Sequence, residues 1–62
     1  MTQPLAGKHI LIVEDEPVFR SLLDSWLSSL GATTALAEDG VDALEKMVSI
    51  TPDLMICDIA MP

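Results

Sequence analysis

Only three of the 62 residues are Lys or Arg, against ten Asp and Glu. Phosphate-backbone binding runs on Lys and Arg, so direct nucleic-acid binding by this segment is not expected. Cysteine is nearly absent. The single Cys57 cannot form an internal disulfide, and no Cys/His cluster has zinc spacing. Neither of the usual staples of a small domain is therefore on offer. Long hydrophobic runs are missing too. The longest, "ILIV" and "LMIC", fall far short of the roughly 20 residues a membrane helix needs. The opening "MTQPLAGKH" has no apolar core segment and does not read as a secretory signal. A lone cysteine without an export signal fits a reducing cytoplasm.

What is present is globular composition, half of it apolar. A domain of this length buries only about 60% of the surface its unfolded chain exposes, so at most one marginal domain is expected. After a polar lead over 1–7, "HILIV" reads as a strand buried on both faces, as in a parallel sheet. Glu14, Asp15 and Glu16 come next, then Pro17, which suits the first turn of a helix; acids there suit the positive end of the helix dipole. From Pro17 to Leu30 the residues Phe19, Leu22, Leu23, Trp26 and Leu30 fall at helical spacing and predict one buried stripe, with Asp24, Ser25, Ser28 and Ser29 on the other side. Gly31 is the expected stop. "TTALA" (Thr33–Ala37) predicts a second strand, Asp39-Gly40 a turn, and "VDALEKMVS" a second helix with Val41, Leu44, Met47 and Val48 inward. Thr51-Pro52-Asp53 breaks that helix, and "LMIC" is the third strand.

The order β-α-β-α-β predicts a parallel α/β sheet. Every strand then points the same way, and the segments leaving the strands share one edge of the sheet, the carboxyl edge. Glu14, Asp15 and Glu16 leave the first strand there; Asp58 leaves the third. A 2-1-3 strand order with right-handed crossovers makes these two strands neighbours, and the gap between them is the topological switch point, the usual ligand site of open α/β sheets. Several carboxylates there repel one another. A hard cation relieves that repulsion, and Mg²⁺ takes one or two carboxylates, waters and phosphate oxygens. The pattern points to an acidic metal pocket with Asp58 as candidate nucleophile toward a phosphoryl group, giving an aspartyl phosphate.

"ILIVEDEP", the next helix and strand, "A.DG.DAL" and "PDLMICDIAMP", in this order and spacing, resemble the receiver domain of two-component response regulators. The resemblance runs from Lys8 to Pro62 and corresponds to the first half of a receiver. It implies a partial flavodoxin-like α/β fold lacking strands four and five. It also implies Asp58 as phosphoacceptor for a histidine kinase or a small phosphodonor. Mg²⁺ would be held by Glu14, Asp15, Asp58 and the backbone carbonyl of Ala60, with Asp15 the more direct ligand of the acidic pair. Glu14 is a mild departure, since aspartate is also common there. Met61 and Pro62 match the opening of the next loop. The Ser/Thr after strand four and the Lys after strand five of a receiver lie beyond residue 62, so the chain is expected to be a fragment. Its third strand would be an open apolar edge inviting self-association. The wording of "LLDSW…LGATT" and "PDLMICDIAMP" further resembles a receiver that serves as an adaptor, handing the stationary-phase sigma factor to a Clp-type protease.

Blander roles stand beside these. Asp58 could merely cap a strand exit, and Glu16 is expected to be a solvated helix-start acid. Cys57 is expected in the core, His9 at the solvent end of its strand, and Arg20 and Lys46 as ordinary surface charges. Two other functions share the pattern. A haloacid dehalogenase-type phosphatase also uses an aspartate at a strand end, but carries a second acid two residues on, where this chain has Ala60. A receiver-like interaction module would keep the fold and dispense with phosphorylation. No independent turnover is expected.

Overall fold

The computed structural model describes residues 3–57. Five elements alternate: β1 (His9–Val13), α1 (Pro17–Ser29), β2 (Thr33–Ala37), α2 (Gly40–Ser49) and β3 (Leu54–Cys57). The three strands form one parallel sheet in the order β2-β1-β3, the 2-1-3 arrangement expected. β1 is central, which is why its residues read as a continuous apolar run. Ile10, Leu11, Ile12 and Val13 are all buried. Their alternation separates two cores. Ile10 and Ile12 meet Leu27 and Ala32 on one face; Leu11 and Val13 meet Ala37 and Ala43 on the other.

The element boundaries have local causes. Pro17 opens α1, and the Glu16 carboxylate caps it by accepting from the Val18 N–H at 3.0 Å, so Glu16 has a role beyond solvation. Gly31 closes α1 at φ +100°, the left-handed region open to glycine. The lead folds back onto this point. The Leu5 N–H donates to the Leu30 carbonyl at 3.0 Å, and Leu5 packs against the Ile10–Leu27 core. A Cβ at Gly31 would stand 3.0 Å from the Ala6 backbone nitrogen. Gly31→Ala therefore combines a left-handed backbone penalty of about 1–2 kcal/mol with a backbone contact that must give way. Urea unfolding is expected to show a loss of at least that size.

β3 is registered by a reciprocal pair at its start. The Asp53 N–H donates to the His9 carbonyl at 2.7 Å, and the His9 N–H donates to Asp53 Oδ2 at 2.8 Å. Since a one-residue slip would turn every side chain of β3 to the opposite face, this pair fixes which core Ile56 joins. His9 itself is exposed, as expected.

At the start of α2, Gly40 is the first helical residue and lacks positive φ; the expected Asp39-Gly40 turn is a helix cap instead. Asp39 Oδ1 accepts from the Asp42 N–H at 2.8 Å, and Asp42 Oδ2 accepts from the Glu38 N–H at 3.1 Å. The Lys46 ammonium beside Asp42, at 2.8 Å, is the main cause holding its carboxyl below the usual value; the Glu38 N–H adds to it. Asp42 thus contributes stability that is whole above the ordinary pKa of 3.8 and is lost as pH falls through the lower folded value. The pair is only partly covered and solvent screens it, so the contribution is small. Asp42→Asn is expected to lower stability slightly at neutral pH and to change nothing once acid has protonated the native carboxyl, as read from urea midpoints across the acid range.

The helices turn a different side to the sheet than their apolar spacing suggests. α1 buries Leu27 and partly buries Leu23, while Phe19, Leu22 and Trp26 are exposed, Trp26 at 60%. Asp24, expected outward, is half-buried and accepts from the Ser28 and Thr34 hydroxyls, tying α1 to β2. α2 buries Ala43, while Val41, Leu44 and Val48 face away, Val48 at 89% exposure, and Met47 is only partly covered. The reason is coverage: both helices lie over β1 and β2 rather than β3, and three strands cannot cover the full width of either apolar face. β3 shares this surplus. Leu54 and Met55 are about half-exposed, and Cys57, expected in the core, is exposed.

Candidate functional site

At the carboxyl end of β1 the chain leaves the sheet as Glu14-Asp15-Glu16. Val13, the last residue of β1, is in register with Ala37 of β2 and Cys57 of β3. The acidic turn therefore begins one residue beyond the level of Cys57, the last described residue of the neighbouring strand and the one before Asp58 in the sequence. Asp58 and Ala60, with Met61 and Pro62, lie outside the described residues.

Glu14 is buried, 5% exposed, and among the described residues it is fastened at several points. Its N–H donates to the Ala37 carbonyl at 3.0 Å, extending the β1–β2 ladder. Its Oε1 accepts from the Glu16 N–H at 3.0 Å. Its carbonyl accepts from Arg20 Nη1 at 3.0 Å. Buried carboxylates are normally satisfied by such bonds. Asp15 is exposed. The pair thus divides into a fixed, buried acid and an accessible one at the same strand end.

Arg20 and Lys46, expected as plain surface charges, are both half-buried and bonded, Arg20 to the Glu14 carbonyl and Lys46 to Asp42. Sequence spacing missed the Arg20 contact. Its signal was a cation four residues past an acidic turn, in a chain with only three Lys or Arg.

Among the described residues no group of three or more His, Cys, Asp or Glu side chains is placed to hold a metal ion. Glu14 and Asp15 supply two carboxylates at one edge. Such an all-oxygen donor set fits a hard divalent ion that takes one or two carboxylates and completes its shell from water and phosphate. Among the described residues no helix is long and apolar enough to cross a membrane.

A parallel β2-β1-β3 sheet carrying an acidic pair beyond its central strand is a partial flavodoxin-like α/β architecture, with the switch-point edge of that class. The chain belongs to the response regulator receiver domain family, whose model matches residues 10–62. It is 82% identical over 62 residues to "Regulator of RpoS" from Escherichia coli K12, covering all of this chain and 18% of that protein. It is 45% identical over 54 residues to "Response regulator MprA" from Mycobacterium ulcerans, covering 87% of this chain and 23% of that one. A segment of "Sensor histidine kinase RcsC" from Salmonella typhimurium is 43% identical over 53 residues, 86% of this chain and 6% of the kinase. The chain thus spans about a fifth of the length of the two regulators it matches.

Proposed function

We propose that Asp58 is a phosphoacceptor, taking a phosphoryl group from a histidine kinase or a small phosphodonor with Mg²⁺ bound beside it. The observation that carries this reading is the register of β1 with β3, in which Val13, the residue before Glu14 and Asp15, pairs with Cys57, the residue before Asp58 in the sequence. Asp15 and Glu14 would hold the ion, together with Asp58 and the backbone carbonyl of Ala60. The bound Mg²⁺ supplies charge neutralisation for the incoming phosphoryl oxygens. An Asp58 carboxylate oxygen forms the new bond to phosphorus. The bond from phosphorus to the donor nitrogen or oxygen breaks, and its electron pair leaves with the donor. The protein is the acceptor and carries out no turnover of its own.

The high identity to a protein named for regulating RpoS favours an output on the stationary-phase sigma factor, through an adaptor that delivers it to a Clp-type protease in the cytoplasm. The exposed β3 edge favours self-association of this chain in isolation.

The test uses the chain grafted in place of the matching 62 residues of the Escherichia coli relative. Acetyl phosphate is expected to add one phosphoryl group, seen by intact mass, and chelation of divalent ions is expected to prevent it. Equal uptake with and without chelator would remove the metal from the account. No uptake at all would favour an interaction module that works without phosphorylation.

A further inference from the structure

We infer that Arg20 is a positioning residue for the acidic pair: its guanidinium holds the peptide plane from which Asp15 departs. The inference rests on the Mg²⁺ reading above and deepens it.

Arg20 stands in the opening turn of α1, where the helix dipole disfavours a cation. It is one of only three Lys or Arg residues. Three acids, Glu14, Asp15 and Glu16, lie within six residues of it, yet among the described residues it makes no ion pair. Its side chain is half-buried and folds back, and Nη1 donates to the Glu14 carbonyl at 3.0 Å. That carbonyl belongs to the peptide joining Glu14 to Asp15. Peptide groups are planar, so fixing the Glu14 oxygen also fixes the Asp15 nitrogen and the axis about which Asp15 turns. The other side of Glu14 is already fixed by Ala37, and its carboxylate by the Glu16 N–H. The Asp15 side chain makes no hydrogen bond among the described residues, so its direction is inherited from this clamped peptide.

Charge and geometry make opposite forecasts. The Arg20 charge reaches across this edge, since it contributes, as the smallest cause, to lowering the Asp42 carboxyl. If charge alone mattered, removing Arg20 would relieve repulsion and tighten a bound cation. If Arg20 positions the pair, removing it weakens binding. Groups that orient metal ligands typically alter affinity by about tenfold or more.

The experiment is a titration with Mg²⁺ alone, monitored by the amide NMR shifts of residues 14–16, on the full chain and on the graft into the Escherichia coli relative. Thermal midpoints are recorded alongside. Arg20→Ala is expected to weaken Mg²⁺ about tenfold while the rest of the spectrum stays folded. Arg20→Lys, which keeps the charge and one donor, is expected to recover part of the affinity. Lys46→Ala, which removes a half-buried cation bonded to Asp42, is expected to leave it unchanged. Unchanged or tighter binding in Arg20→Ala, with Asp15→Asn still weakening it strongly, would overturn the positioning role and leave the metal reading intact. Absence of Mg²⁺ binding in the unsubstituted protein would overturn both.

Discussion

Asp58→Asn is expected to abolish phosphoryl uptake altogether, leaving no modified species in the intact-mass spectrum after acetyl phosphate treatment of the grafted protein. The amide is nearly isosteric, so folding is expected to survive. What is lost is the anionic oxygen proposed to attack phosphorus, and an uncharged amide is a poor nucleophile. Asp15→Asn is expected to act differently. It keeps the proposed nucleophile and removes a proposed metal ligand, so uptake is expected to fall steeply at low Mg²⁺ and to recover in part at high concentration. An Asp58→Asn protein that still gained one phosphoryl group at the unsubstituted rate would place the acceptor elsewhere. The steady turnover of a phosphate ester by the unsubstituted protein, lost in Asp58→Asn, would favour the phosphatase chemistry that Ala60 argues against.

The second large effect concerns association. The 62-residue chain alone is expected to sediment as oligomers at tens of micromolar, on the order of the concentrations at which exposed edges and apolar surface drive aggregation. Val18, Phe19, Leu22 and Trp26 on α1, Val41, Leu44 and Val48 on α2, and Leu54 and Met55 on β3 are all substantially exposed. Apolar surface of this extent is uncommon on a monomer. β3 adds a strand edge at the margin of the sheet, and unpaired edges template pairing. Met55 is 47% exposed on that strand. Met55→Lys is expected to shift the distribution toward monomer, because lysine on an edge strand opposes edge-to-edge pairing. A monomeric unsubstituted chain over the same range would show that this surface is covered in some other way.

The strands and their order were legible because several independent signals agreed. "HILIV" is bounded by a polar lead and an acidic turn, "TTALA" by Gly31 and the Asp39 cap, and "LMIC" by Pro52-Asp53. Alternation with helices left parallel pairing as the economical topology. The sheet-facing sides of the helices were not legible. Apolar spacing finds residues that seek cover without saying what covers them. Phe19, Leu22 and Trp26 satisfy helical periodicity as well as Leu23 and Leu27 do, yet only the latter two reach the sheet. Small Ala43 faces the sheet on α2, while the bulkier Val41 and Leu44 do not. The packing of Leu5 and the Asp53–His9 pair each join residues whose chemistry gives no local cue to their partner. For the site, β1 places Glu14 and Asp15 at the carboxyl edge as the topology required. Asp58 and Ala60 fall outside the described residues, and their proposed roles rest on the register of Cys57 with Val13.

In the proposed site, carboxylates from two separate segments converge on one ion. Substoichiometric Mn²⁺, standing in for Mg²⁺, can be added to the grafted protein while its amide signals are recorded by NMR. The amides of Asp15 and Asp58 are expected to broaden together at the lowest additions, ahead of those of Asp24, Asp42 and Asp53. Broadening around Asp15 with Asp58 left sharp, or the reverse, would contradict it.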